Sequence, residues 1–81
     1  MKNEFTNFKD NMYGVCDMLC KYGSLLELDF IKFDLLSYST MKIDYADVIH
    51  IKIIEDKILD IKCDFGNISI IIDEIYKIEI E

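Results

Sequence analysis

Eighty-one residues with a 52% apolar share are enough for one domain, residues 1–81, with a small packed core. The formal net charge is −7, from 16 acidic residues against nine lysines, and arginine is absent. Without arginine, so acidic a chain lacks the bidentate contacts of a general nucleic-acid binder; it is repelled by anionic lipid and drawn to basic protein surfaces.

No apolar run approaches the roughly 18–20 residues that a membrane-spanning helix requires. The opening MKNEFTNFKD carries acids and no apolar stretch, which is not a signal-peptide pattern. Three cysteines, Cys16, Cys20 and Cys63, make an odd set that predicts free thiols in a reducing compartment. The abundance of Ile, Lys, Asp, Asn and Tyr matches an AT-rich bacterial or viral genome, so the expected location is the cytoplasm of a bacterial host cell.

In chain order, Phe5, Phe8, Met12, Cys16 and Leu19 recur at spacings of three and four. This stripe predicts a helix over Asn3–Lys21, capped by Asn3 or Thr6 and stopped at Gly23. Gly14 falls inside it, read as tolerated at the surface rather than as a close approach.

Everything after Ser24 reads as strands. Leu26, Leu28 and Phe30 alternate with acids; then the phase slips to Ile31, Phe33 and Leu35. A one-residue slip turns every side chain over, so a bulge near Phe30–Ile31 or a sharp bend is expected. Met41, Ile43 and Tyr45 predict a short strand, and Asp44–Asp47 a turn.

The stretch from Ile49 to Ile72 can be registered directly. Its apolar sets meet if Ile53 opposes Leu59, Ile51 opposes Ile61 and Ile49 opposes Cys63. Glu55, Asp56 and Lys57 then form a three-residue loop, and Lys52 faces Asp60. Gly66-Asn67 is expected as a type II′ turn setting Cys63 against Ile70. Ile68, Ile70 and Ile72 join the buried face, a helical turn falls at Asp73–Ile75, and Tyr76–Ile80 makes a last strand.

The expected class is α+β, with an N-terminal helix (residues 1–23) packed on an antiparallel meander of about five strands (24–81). The sheet is either strongly coiled or closed into a small barrel; an open twisted sheet under the helix is the alternative. The ending IIIDEIYKIEI, with a helical turn between two strands, is similar to the closing segment of SH3-like and Sm-like barrels. The similarity spans about Ile49–Ile80 and implies a small barrel; the basic RNA-binding loops of Sm-like proteins have no counterpart here.

The chemistry-bearing residues give little. His50, the single histidine, alternates out of the predicted core, and a general base needs a positioned partner. Cys16 and Cys20 lie one helical turn apart but lack the four-ligand set of a zinc site. No phosphate loop, calcium loop or hydrolase motif occurs. Hence no catalytic residue, cofactor or metal is expected.

Five tyrosines among scattered acids remain. Tyr38, Asp44, Tyr45 and Asp47, with Asp29 and Asp34, read as an acidic-aromatic docking edge for a basic protein. The expected function is non-enzymatic: binding a basic partner such as a nucleic-acid-binding protein and blocking it sterically. A phage or mobile-element inhibitor of the anti-CRISPR kind fits that description. The alternatives are a module self-associating through Tyr76–Ile80 as an edge strand, and an Sm-like RNA-binding module.

Overall fold

Asn11 decides where the helix starts. Its side-chain oxygen accepts hydrogen bonds from the amides of Tyr13 and Gly14 at 3.0 and 3.3 Å, so helix α1 spans Met12–Tyr22. The computed structural model describes residues 2–81, and the expected helix over Asn3–Lys21 is corrected in it. Asn3–Thr6 is strand β1, and neither Asn3 nor Thr6 is a cap. The apolar stripe misled because Phe5 is packed against the core from a strand, while Phe8 is 71% exposed in the intervening turn. That turn is closed by the Asp10 carboxylate accepting the Thr6 amide at 3.0 Å.

Among the described residues there are seven strands, not five. After β1 come β2 (Phe30–Leu35), β3 (Thr40–Asp44), β4 (Val48–Ile54), β5 (Ile58–Cys63), β6 (Gly66–Ile71) and β7 (Ile75–Ile80). They form two antiparallel sheets, ordered β1-β7-β2-β3 and β4-β5-β6, with no ladder closing them into one barrel. The α+β class stands, but the order is not a simple meander. β7 lies between β1 and β2, so the expected edge at Tyr76–Ile80 is an interior strand.

Residues 26–29 do not form the expected strand. Gly23–Leu25 is a 3-10 turn, Leu25 and Leu26 are exposed, and Glu27 has φ 53°. The phase slip at Phe30–Ile31 is therefore the start of β2; the irregular register comes later, at Asp34/Leu35. Gly23 ends the helix as expected: it is the C-cap, with φ −53°, and its amide donates to the Leu19 carbonyl as the chain enters this turn.

The central hairpin follows its sequence. Ile53 opposes Leu59, Ile51 opposes Ile61, Lys52 opposes Asp60, and residues 55–57 form the loop. One pair differs: a bulge between Val48 and His50 sets Val48, not Ile49, against Cys63, leaving Ile49 outside. The next turn also differs. Cys63 pairs with Gly66, so Asp64-Phe65 is the loop, and Leu59 rather than Cys63 faces Ile70. Gly66, at φ +136°, supplies the backbone freedom beside this loop.

The register maps the fold onto itself. β7-β2-β3 corresponds to β4-β5-β6, strand for strand. Ile31 and Phe33 pair with Ile80 and Ile78; Leu59 and Ile61 pair with Ile53 and Ile51. On the other side they face Ile43 and Met41, and Ile70 and Ile68. Each half ends in a 3-10 corner, Tyr45–Asp47 or Ile72–Glu74, that carries the chain into the other sheet.

The hydrogen bonds repeat too. Tyr45 donates its amide to the Asp29 carbonyl and Ile72 to the Lys57 carbonyl, both at 2.9 Å. Leu36 donates to Glu74 at 2.8 Å and Asp64 to Asp47 at 3.0 Å. Even the left-handed Glu27 has its counterpart in Glu55, at φ 54°. This two-fold repeat is broken by β1, which pairs with β7, and by α1, which packs near the equivalent strand β4. Met12, Val15, Cys16 and Leu19 of the helix join Ile31, Phe33, Leu59, Ile61, Ile72 and Ile78 in one core.

Candidate docking surface

The six residues expected to act together are divided between opposite ends of the fold. Asp34 and Tyr38 lie at the β2–β3 hairpin; Asp29, Asp44, Tyr45 and Asp47 lie at the other end of those strands, around the first 3-10 corner. A six-residue strand separates the groups by about 20 Å.

At the hairpin end, Asp34 is held by the Thr40 hydroxyl at 2.9 Å and by the Lys77 ammonium at 3.6 Å. Tyr38 is 98% exposed and sits at φ 67°, a left-handed conformation unusual for an aromatic residue. Across an open groove of about 690 Å³, Tyr38 and Leu36 face Tyr76. Sequence reading placed Tyr76 in a strand and gave Leu36 no role.

At the corner end, Tyr45 is half-buried, and its phenol is pushed above the ordinary tyrosine pKa by burial. It is a packing residue rather than an exposed anchor. The exposed apolar groups here are Phe65, at 67%, and Ile49, at 56%. The Asp64 amide bond to Asp47 ties the Phe65 loop to the corner. Backbone hydrogen bonds from Tyr45 to Asp29 and from Asp29 to Glu81 bring those segments to the same end of the fold as Asp44, Asp47 and Asp64. Ile49 was missed because alternation assigned it to the buried face, and the bulge at Val48 turns it out; Phe65 was given no role, and the Asp64-Phe65 loop exposes it.

All three thiols are shifted upward by burial. Burial pushes the Cys16 thiol up to about 12. Burial, then Asp17, raises Cys20; burial, then Asp47 and Asp64, raises Cys63. His50 is exposed beside a groove of about 280 Å³ that also reaches Cys20. Among the described residues no group of three or more His, Cys, Asp or Glu is placed to hold a metal ion. No helix is long and apolar enough to cross a membrane. No family model matches the chain, and neither the curated proteins nor the solved structures give a match.

Proposed function

We propose that this chain is a non-enzymatic binding protein that docks a basic macromolecular partner at its Phe65 end. One observation carries the reading: two large apolar side chains, Phe65 and Ile49, stand exposed beside Asp47 and Asp64 on a chain of net charge −7. Exposed aromatics supply contact area at low entropic cost, and surrounding carboxylates steer a cationic surface toward them. Burial, which raises all three thiols, supports the non-enzymatic part of the reading.

The partner class that fits is a nucleic-acid-binding protein with a Lys/Arg-lined groove, in which docking excludes the nucleic acid by bulk. Inhibition of a defence protein by a mobile-element product is one form this takes. An RNA-binding role has no observation in its favour, and self-association through β7 is closed off by its two flanking strands.

The test is to recover the partner from source cells and measure its affinity across a salt series. Phe65→Ala and Asp47→Asn/Asp64→Asn variants are compared with the parent chain. Affinity should drop steeply with salt, and each variant should bind about tenfold more weakly. Salt-independent binding that both variants retain would overturn the reading.

A further inference from the structure

We infer that the chain pairs with a second copy of itself along β6, the two β6 strands running antiparallel about a two-fold axis at Ser69. This stands apart from the docking reading: it uses a different surface and needs no partner of another kind.

Among the described residues, four strands end the two sheets: β1, β3, β4 and β6. α1 packs near β4, which leaves three open edges. An open edge is a template for another strand, and charges along it are a common guard. The corner hydrogen bonds show which residues of each edge turn their backbone outward. The Ile72 amide donates to the Lys57 carbonyl at 2.9 Å and continues the β5–β6 register. Hydrogen-bonded pairs alternate along an antiparallel ladder, so Gly66, Ile68 and Ile70 turn their amides and carbonyls to β5. Asn67, Ser69 and Ile71 turn theirs to the open side, and all three are exposed.

The other two edges are guarded. On β3 the Tyr45 amide donates to the Asp29 carbonyl, which leaves Thr40, Lys42 and Asp44 outward. On β1 the Asn7 amide donates to the Tyr76 carbonyl, which leaves Glu4 and Thr6 outward; the Thr6 amide is already taken by Asp10. Lys42 and Ser69 hold the same place in the repeat, because Ile43 corresponds to Ile70 and Met41 to Ile68. Only one half therefore carries a charge at the centre of its edge. β6, GNISII, holds no charged residue and no proline.

The occupant is a second copy because this edge is complementary to itself. With Ser69 opposite Ser69, Asn67 of each copy meets Ile71 of the other, and each of these pairs exchanges two backbone hydrogen bonds. A register shifted by one residue sets inward side chains against outward ones. A shift of two leaves an outward residue of each copy unmet. On the core side Ile68 meets Ile70 of the other copy, joining the rows Ile61–Ile68 and Leu59–Ile70 across the seam. The same axis on β3 sets Lys42 against Lys42, a destabilising like-charge pair. A basic partner finds no carboxylate on β6 to attract it. Two three-stranded sheets become one of six strands, and a two-fold contact closes at two copies. The charge of −7 opposes approach, and Asp64 of one copy nears Asp73 of the other at each end of the seam, so salt favours the contact.

Sedimentation of the full chain over a concentration series tests this, with amide hydrogen exchange read on the same samples. A monomer–dimer equilibrium is expected that tightens with salt, the opposite of docking to a basic partner. The amides of Asn67, Ser69 and Ile71 should exchange more slowly as the dimer fills, while those of Lys42 and Asp44 are unchanged. Ser69→Pro removes an amide that faces solvent in the monomer and should weaken the dimer at least about tenfold. Ile71→Lys, which puts a charge on the edge, should weaken it too. Unchanged exchange at Ile31, Phe33 and Ile61 reports that each variant is folded. A chain that stays monomeric at every concentration and salt overturns the proposal and leaves the docking reading untouched. A dimer that both variants retain, or one that protects β1 or β3 instead, also overturns it. Protection of the β6 amides only when a basic partner is added overturns it as well, and makes this edge part of the docking site.

Discussion

A Cβ added to Gly23 would lie 3.0 Å from the Tyr45 hydroxyl oxygen. This is where a glycine admits a neighbour: Gly23 is the hinge between α1 and the following 3-10 turn, and Tyr45 is the first residue of the opposite corner. Gly14, by contrast, would meet nothing nearer than the Asn11 side chain at 3.7 Å. Gly23→Ala should therefore destabilise the fold, and Tyr45→Phe should restore part of the loss by removing the crowding oxygen. Gly14→Ala should stabilise it by up to about 1 kcal/mol, the helix-propensity difference. Urea midpoints of the four chains check this; equal effects at Gly14 and Gly23 would refute the assignment.

The helix start is tested at Asn11 and Phe8. Asn11→Ala removes two capping hydrogen bonds and should cost about 0.5–2 kcal/mol. Phe8→Ala changes an exposed turn residue and should stay within about 0.5 kcal/mol of the parent. A helix running from Asn3 would reverse that order, because Phe8 would then belong to its buried stripe.

Thr6 carries a buried hydroxyl with no hydrogen-bond partner. Thr6→Val keeps the β-branched shape that suits β1 and replaces the hydroxyl with a methyl. Removing a desolvated, unpaired polar group should stabilise the chain by about 1 kcal/mol. A rise in melting temperature is the expected result, and a fall would mean that the hydroxyl is satisfied in solution.

The thiols make stability sensitive to alkali. Cys16 titrates near 12 in the fold against 9.0 for a free thiol, so the unfolded chain releases this proton first as pH rises. Below pH 9 both states keep the proton and nothing changes. Between 9 and 12 the unfolded state binds fewer protons, and stability should fall by at most about 1.4 kcal/mol per pH unit. Cys16→Ala should remove that component of the slope, as read by denaturation at pH 8 and pH 10. At neutral pH an alkylating reagent should label Cys20, half-buried, before Cys16 or Cys63.

What the sequence determined is what neighbours in the chain determine. The β4–β5 pairing could be registered from alternation alone, because a three-residue loop leaves few ways for Ile51, Ile53, Leu59 and Ile61 to share one face. The second half of the helix was legible for the same reason: Met12, Cys16 and Leu19 are local periodicity. The repeat was also present in the text, in KIDYADVIHIKI against SIIIDEIYKIEI, and it shows once the two corners are aligned.

Tertiary structure decided the rest, wherever a partner is far away in the chain. Phe5 fits a helical stripe and a strand equally well; it is a strand residue because β7, with Ile78 opposite it, offers an edge there. Ile80 meets Ile31 on one side and Asn3 on the other, pairings that no local pattern encodes. Ile49 and Phe65 turn outward because a bulge and a loop position shift the phase by a single residue. Alternation specifies two faces but not which one meets the core, and packing of the two sheets and the helix settles that choice.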